Sequence, residues 1–265
     1  MAALALGLIV GIILALTGAG GGILAVPLLV FGVGIGLAQA APIGLMAVGM
    51  AAALGALLGL KQGIVRYRAA VVIAGAGMVL SPVGLLLAHR IDNRWLSGLF
   101  AFVLLYVGFR AVGKALAPPP AMAAQTRHAC PCVRDPASGR FIWTGPCART
   151  LTMSGAVAGL LSGLLGVGGG FVMVPVLQRY TDLPMQSIVA TSLAVIALVS
   201  ATGVAASAAA GHVDWAVALP FSAGALAGML GGRALSTRLA GPHLQAGFGA
   251  VSSLVALVMI AKIVM

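Results

Sequence analysis

The chain has 265 residues, 61% of them hydrophobic and 7% charged, with a mean hydropathy of +1.14. Soluble domains carry roughly 25% charged residues, so the composition excludes that class and predicts an all-α, polytopic membrane protein embedded in a lipid bilayer. There is no Glu and only four Asp, which leaves almost no room for paired-carboxylate catalysis or a carboxylate metal cage. The net charge of +11 sits mostly between apolar runs, where it sets topology rather than marking a nucleic-acid partner.

Two apolar pieces open the chain, about residues 4–16 and 23–30, each too short to cross hydrocarbon at 1.5 Å per residue. The first lacks a basic leader and a stop beyond a small-residue cleavage site, so it reads as retained rather than as a signal peptide. Between them lies Gly18-Ala19-Gly20-Gly21-Gly22, followed by Pro27. Tandem glycines cost about 1 kcal/mol each in a helix, so a break is expected there. Long apolar runs follow at about 38–60, 69–88 and 95–112. A polar insert at 117–149 starts with Pro118-Pro119-Pro120, a stiff spacer. Asp135 to Gly139 then reads as a turn between short strands around Val133 and Phe141-Ile142-Trp143, a small β-hairpin. Beyond it the glycine pattern returns as Gly166-Val167-Gly168-Gly169-Gly170 with Pro175, and further runs occupy 186–210, 214–232 and 244–264.

Pro175 lies 148 residues after Pro27, and the offset also maps Gly11 to Gly159, Gly55 to Gly203 and Arg90 to Arg238. The chain therefore divides into a first repeat (1–116), an insert (117–149) and a second repeat (150–265). Each repeat is predicted to be a broken or re-entrant hairpin plus three transmembrane helices. Duplication with a helix-breaking motif at matching places is the pattern of a secondary transporter. An odd number of crossings per repeat makes the two inverted. Loop 61–68 then shares one side with the insert, and that side holds Lys61, Arg66, Arg68, Arg110, Lys114, Arg127, Arg134, Arg140, Arg149, Arg179, Arg233 and Arg238. Only Arg90, Arg94 and Lys262 lie opposite. Parallel repeats would divide the charges 10 to 5 instead of 12 to 3, so inversion fits the positive-inside rule better and places the insert in the cytoplasm.

A broken helix exposes backbone N–H groups, and the half-helix that follows adds about half a positive charge at its start. Together these form an anion site that needs no Lys or Arg in hydrocarbon. Gly20, Gly21, Gly22, Gly168, Gly169 and Gly170 are the candidate donors, against the alternative that they only permit close helix packing. Thr191 and Ser192, near the start of a long apolar helix, could bond an anion's oxygens or merely cap and back-bond, and Thr17 and Ser162 beside the turns share both readings. Gln39, Gln186 and Ser187 are weaker candidates. His212 and Asp214 could relay a proton, although an interfacial Trp215 beside a solvated charge explains the group more simply. No cofactor is expected. His128, Cys130, Cys132 and Cys147 match a zinc set in number but not in spacing, and reduced thiols or one disulfide stapling the hairpin compete with it.

The two glycine motifs, with Leu164-Leu165 before the second and Ala190-Thr191-Ser192-Leu193 after it, resemble the TauE/SafE family over roughly residues 5–115 and 150–262. Asp135 to Gly139 with Arg140-Phe141 and Trp143-Thr144 is similar to the TauE-like branch, linked to two-carbon sulfonates. Ile43-Gly44 departs from the Thr-Ser often found there. The resemblance implies a non-enzymatic transporter in the bacterial inner membrane, moving sulfite or an organosulfonate such as sulfoacetate. The residues alone imply only a small anion. A homodimer and a coupling ion or proton stay open as partners. The competing classes are an intramembrane thiol oxidoreductase using Cys130 or Cys132, and a non-transporting membrane subunit.

Overall fold

The computed structural model describes residues 2–17, 21–116, 132, 144–239 and 242–264. In chain order the helices are α1 (Ala2–Thr17), α2 (Gly22–Gly32), α3 (Leu37–Lys61), α4 (Tyr67–Arg90), α5 (Asn93–Leu116), α6 (Gly145–Leu165), α7 (Gly170–Tyr180), α8 (Met185–Ala209), α9 (Trp215–Leu239) and α10 (Pro242–Val264). The β-structure among the described residues is a single bridge between Cys132 and Thr181. Segments of α3, α4, α5, α6, α8 and α9 are each long and apolar enough to cross a membrane. The chain is thus an integral, multi-pass helical membrane protein.

The first pair of helices is short and folds back on itself. Gly21 abuts the backbone of Leu14 and Ile13, and Gly32, at the far end of α2, packs on the Leu6 side chain. The second pair does the same by a different route. Thr181, just past α7, bridges Cys132, and Cys132 is disulfide-bonded to Cys147 in the first turn of α6. The start of α6 and the end of α7 therefore meet. The two hairpins are unequal, with 16 residues in α1 and 21 in α6. α6 begins inside the stretch assigned to the insert, because Thr144 accepts a hydrogen bond from the Cys147 N–H (3.3 Å) and Pro146 fits the first turn. The polar Arg149 and Thr150 disguise that start. The predicted strands around Val133 and Phe141-Ile142-Trp143 lie outside the described residues.

Close packing joins one half of the chain to the other. α1 lies on α9, α6 on α4, α3 on α8 and α5 on α10. Small residues make this approach possible, as they do generally between membrane helices. Gly7 and Gly11 meet the backbone of Phe221 and Ala225, while their equivalents Gly155 and Gly159 meet that of Ile73 and Gly77. Exchanging the halves maps the first set of contacts onto the second. Along the α3–α8 seam, Gly59 faces Ala190, Gly55 faces Leu193, Gly49 faces Ser200 and Gly203 faces Leu45. Numbers fall along α3 as they rise along α8, so these two equivalent helices run antiparallel.

The core lies around α2 and α3. Ile23, Ala25, Val26, Ile43, Ala47 and Val48 are fully buried, as suits helices that are apolar on every side. Large side chains on α5 point outward instead, with Trp95, Phe102 and Phe109 more than two-thirds exposed. Such a face belongs against lipid tails.

Candidate functional site

Both glycine turns end at the centre of this packing, but their backbones differ. Gly21 is in an ordinary right-handed helical conformation, and its N–H donates to Thr17 Oγ1 (3.0 Å). Thr17 in turn donates to Ile13 O (2.7 Å), so it closes the first turn locally. Gly20 lies outside the described residues. The second turn has three glycines at positive φ, Gly166 (+71°), Gly168 (+75°) and Gly169 (+69°), a region that L side chains rarely adopt. Its hydrogen bonds run from the Gly166 N–H to Ser162 O and from the Val172 and Met173 N–H groups to Gly169 O. Among the described residues, the N–H groups of Gly168, Gly169 and Gly170 have no backbone acceptor. Successive unpaired N–H groups at the start of a helix form a concavity that favours anions.

The two turns touch. A methyl group added at Gly22 would sit 2.8 Å from Val167 O and 3.0 Å from Val48 Cγ1. One added at Gly168 would sit 2.9 Å from Ile196 Cγ2, 3.2 Å from Ser200 Oγ and 3.3 Å from Val48 Cγ1. Val48 on α3 is thus wedged between the turns, with α8 closing the other flank. Gly44, where a Thr-Ser pair was the family expectation, faces Gly166 O at 3.0 Å by the same measure. A side chain there would be tight against Gly166 O and Val26 Cγ2, which would have to give way slightly.

The hydroxyl candidates separate into engaged and unengaged groups. Thr191 Oγ1 accepts from the Arg66 N–H (3.1 Å), tying α8 to the entrance of α4. Ser192 Oγ donates to Ile188 O within its own helix (2.8 Å). Both lie more than two turns before Ser200. Ser162, by contrast, is fully buried with no partner for its Oγ, and the same holds for Ser200 and Ser81. Sequence reading passed over Ser200 and Ser81. The available signal was the stripe Ser192, Ile196, Ser200, Gly203 and Ser207, which keeps one face of α8 at three- and four-residue spacing.

The remaining candidates lie at helix starts or in the insert. Asp214 Oδ1 accepts from the Ala216 N–H (3.0 Å) and so caps α9. Gln39 and Gln186 are exposed at helix starts, and Ser187 is buried. Half of the zinc set lies among the described residues. Cys132 and Cys147 are bonded to each other, fully buried and 5.0 Å apart at Cα, while His128 and Cys130 lie outside the described residues. Bonded in this way the two cannot serve as thiolate ligands; reduced, they can. No group of three or more metal-ligating side chains occurs among the described residues. The bond ties Cys132, in the insert, to the first turn of α6.

This architecture has known relatives. The family model for the sulfite exporter TauE/SafE matches residues 3–259. A probable membrane transporter protein of Xylella fastidiosa (strain Temecula1) is 31% identical over 240 residues, spanning 89% of this chain and 85% of that protein. One from Methanocaldococcus jannaschii is 30% identical over 203 residues, 74% of this chain and 68% of its own length. The probable membrane transporter protein YunE of Bacillus subtilis is 40% identical over 83 residues, 31% of this chain and 30% of its own length. No solved structure matches. With nearly its whole length inside the family model, the chain belongs to the sulfite exporter TauE/SafE family.

Proposed function

We propose that the protein is a secondary transporter of small sulfur-containing anions, sulfite or an organosulfonate such as sulfoacetate, in the bacterial inner membrane. The family description and the names of the relatives support transport across a membrane. The observation that carries the anion is the second turn. Among the described residues, the N–H groups of Gly168, Gly169 and Gly170 have no backbone acceptor, and they stand at the start of α7, where the helix dipole adds to their attraction. They offer negative charge a partner without a buried cation. A sulfonate supplies one charge and three acceptor oxygens, which matches a set of neutral donors.

Alternating access follows from the repeat. Antiparallel packing of the equivalent helices α3 and α8, and the exchangeable contacts of α1 with α9 and α6 with α4, support an inverted arrangement. Each re-entrant hairpin then lies against the other half of the chain. Rocking one repeat against the other would expose the turns to each side in succession.

The test is counterflow of radiolabelled sulfoacetate and sulfite into proteoliposomes, with protein-free vesicles as control. Uptake into the protein-containing vesicles is expected. Gly169→Val should abolish it, because Val resists a φ of +69° and its Cβ would press on Ala158 O at 2.7 Å. Absence of flux and of binding for every anion tried would overturn the reading.

A further inference from the structure

Polarity around the turns is one-sided. Ser81, Ser162 and Ser200 are fully buried with unpartnered hydroxyls, and their equivalents at the 148-residue offset are Met229, Leu14 and Ala52. All three equivalents are apolar. Elsewhere the hydroxyls of Thr17, Ser192, Ser207 and Ser253 each donate to a carbonyl one turn back in their own helix. Ser200 keeps its proton free and holds Oγ 3.2 Å from where a side chain on Gly168 would begin. Ser162 is on α6, in line with Ala158, which packs against Gly169. Ser81 Oγ lies 3.1 Å from the corresponding point on Gly203, one turn beyond Ser200. Ser222 and Ser252 are likewise buried and unpartnered, but on α9 and α10, outside this group.

In the first turn, Gly18 to Gly20 lie outside the described residues. Its Gly21 N–H is held by Thr17, and against Gly22 it meets Val167 O, an acceptor that repels negative charge.

We propose that the ligand site is built on the second turn, where the Gly168–Gly170 N–H groups and the Ser200 and Ser162 hydroxyls take a monoanionic, tetrahedral sulfonate group. This deepens the anion-transport reading and rests on it. Every donor in the set is neutral; Arg66, whose Nε is buried and unpartnered, stands at the entrance of α4 beside Thr191, more than two turns along α8 from Ser200. The desolvation cost of an ion rises with the square of its charge, so a dianion of similar size loses about four times as much on entering the site. Without a full countercharge, the site favours one charge over two on the group it encloses, so the carboxylate of sulfoacetate, a second charge at neutral pH, has to lie outside this set of donors. Val48 and Ile196 close over the turn, so entry requires the α3–α8 seam to part.

The experiment measures binding of methanesulfonate and of sulfate to the purified protein in lipid nanodiscs, by calorimetry, for wild type, Ser200→Ala and Ser162→Ala. The two probes have similar shape and differ in charge. Methanesulfonate should bind more tightly than sulfate to the wild type. Each alanine variant should lose about 10- to 150-fold in affinity for methanesulfonate, the loss of one hydrogen bond to a charged ligand. Without ligand, the melting temperature of Ser200→Ala should be unchanged or higher, because the substitution removes a buried hydroxyl that has no partner. A purely structural hydroxyl would instead lower it and leave affinity alone. Equal or tighter sulfate binding, or unaltered affinity in both variants, would overturn the monoanion site while leaving anion transport standing. Failure of both probes and of the sulfur anions above to bind the wild type would remove the anion reading itself.

Discussion

At the scale of single residues, α8 separates hydroxyls that hold the fold from those left to do something else. Thr191 accepts from the Arg66 N–H across 125 residues of sequence, whereas Ser192 bonds only within its own helix. Thr191→Val should therefore cost about 1 kcal/mol of stability, and Ser192→Ala close to nothing, in thermal unfolding of the purified protein. If both variants instead lost anion affinity as Ser200→Ala is expected to, the site would extend along α8 toward Thr191. Sequence could mark the glycines, because tandem helix breakers announce a turn whatever surrounds them. It could not rank the hydroxyls. Whether a serine back-bonds or points elsewhere is decided by its rotamer and by the neighbouring helix, and neither is written in the spacing. Ser200 lay unnoticed in a run that reads as ordinary apolar helix.

At the scale of elements, the same residue type plays opposite parts a few positions apart. On α4, Gly77 is packed against α6 and Gly75 faces open space. Its partner Gly159 has no room for a single carbon, since an added Cβ would strike the backbone of Gly77. Gly159→Ala should push α4 and α6 apart at a cost of about 1–3 kcal/mol, the usual range for overpacking. Gly75→Ala should leave stability unchanged or raise it by up to about 1 kcal/mol, through helix propensity. Melting temperature and monodispersity in detergent check both, and equal behaviour of the two variants would mean that the α4–α6 contact is not as close as described. The helices themselves were legible from the lengths of their apolar runs. The start of α6 was not, because its first turns carry Arg149 and Thr150 and look like loop. Thr144 and Pro146 are the local signals that mark it.

At the scale of the whole molecule, two physical rules disagree about the insert. Twelve of the fifteen basic residues fall on its side if the repeats are inverted, which assigns it to the cytoplasm. Yet Cys132 and Cys147 are bonded there, and disulfides rarely persist in a reducing compartment. The charge rule sums over many loops, while the cysteine rule rests on one pair whose Cα atoms, 5.0 Å apart, would let the bond form whenever an oxidant is present. We therefore expect the pair to be reduced in living cells and to oxidise on purification. Quenching cells in acid and tagging free thiols with a heavy maleimide should shift both Cys132 and Cys147 before purification, and neither afterward. Independently, single cysteines placed at Lys61 and at His212 in a chain lacking its native thiols should react with an impermeant reagent from opposite faces, with only the His212 position labelled in intact cells. A disulfide found intact in cells, together with labelling at Lys61 from outside, would turn the protein over in the membrane while keeping the repeats inverted. Labelling of both positions from one face would instead break the inverted arrangement, and with it the symmetry argument for alternating access.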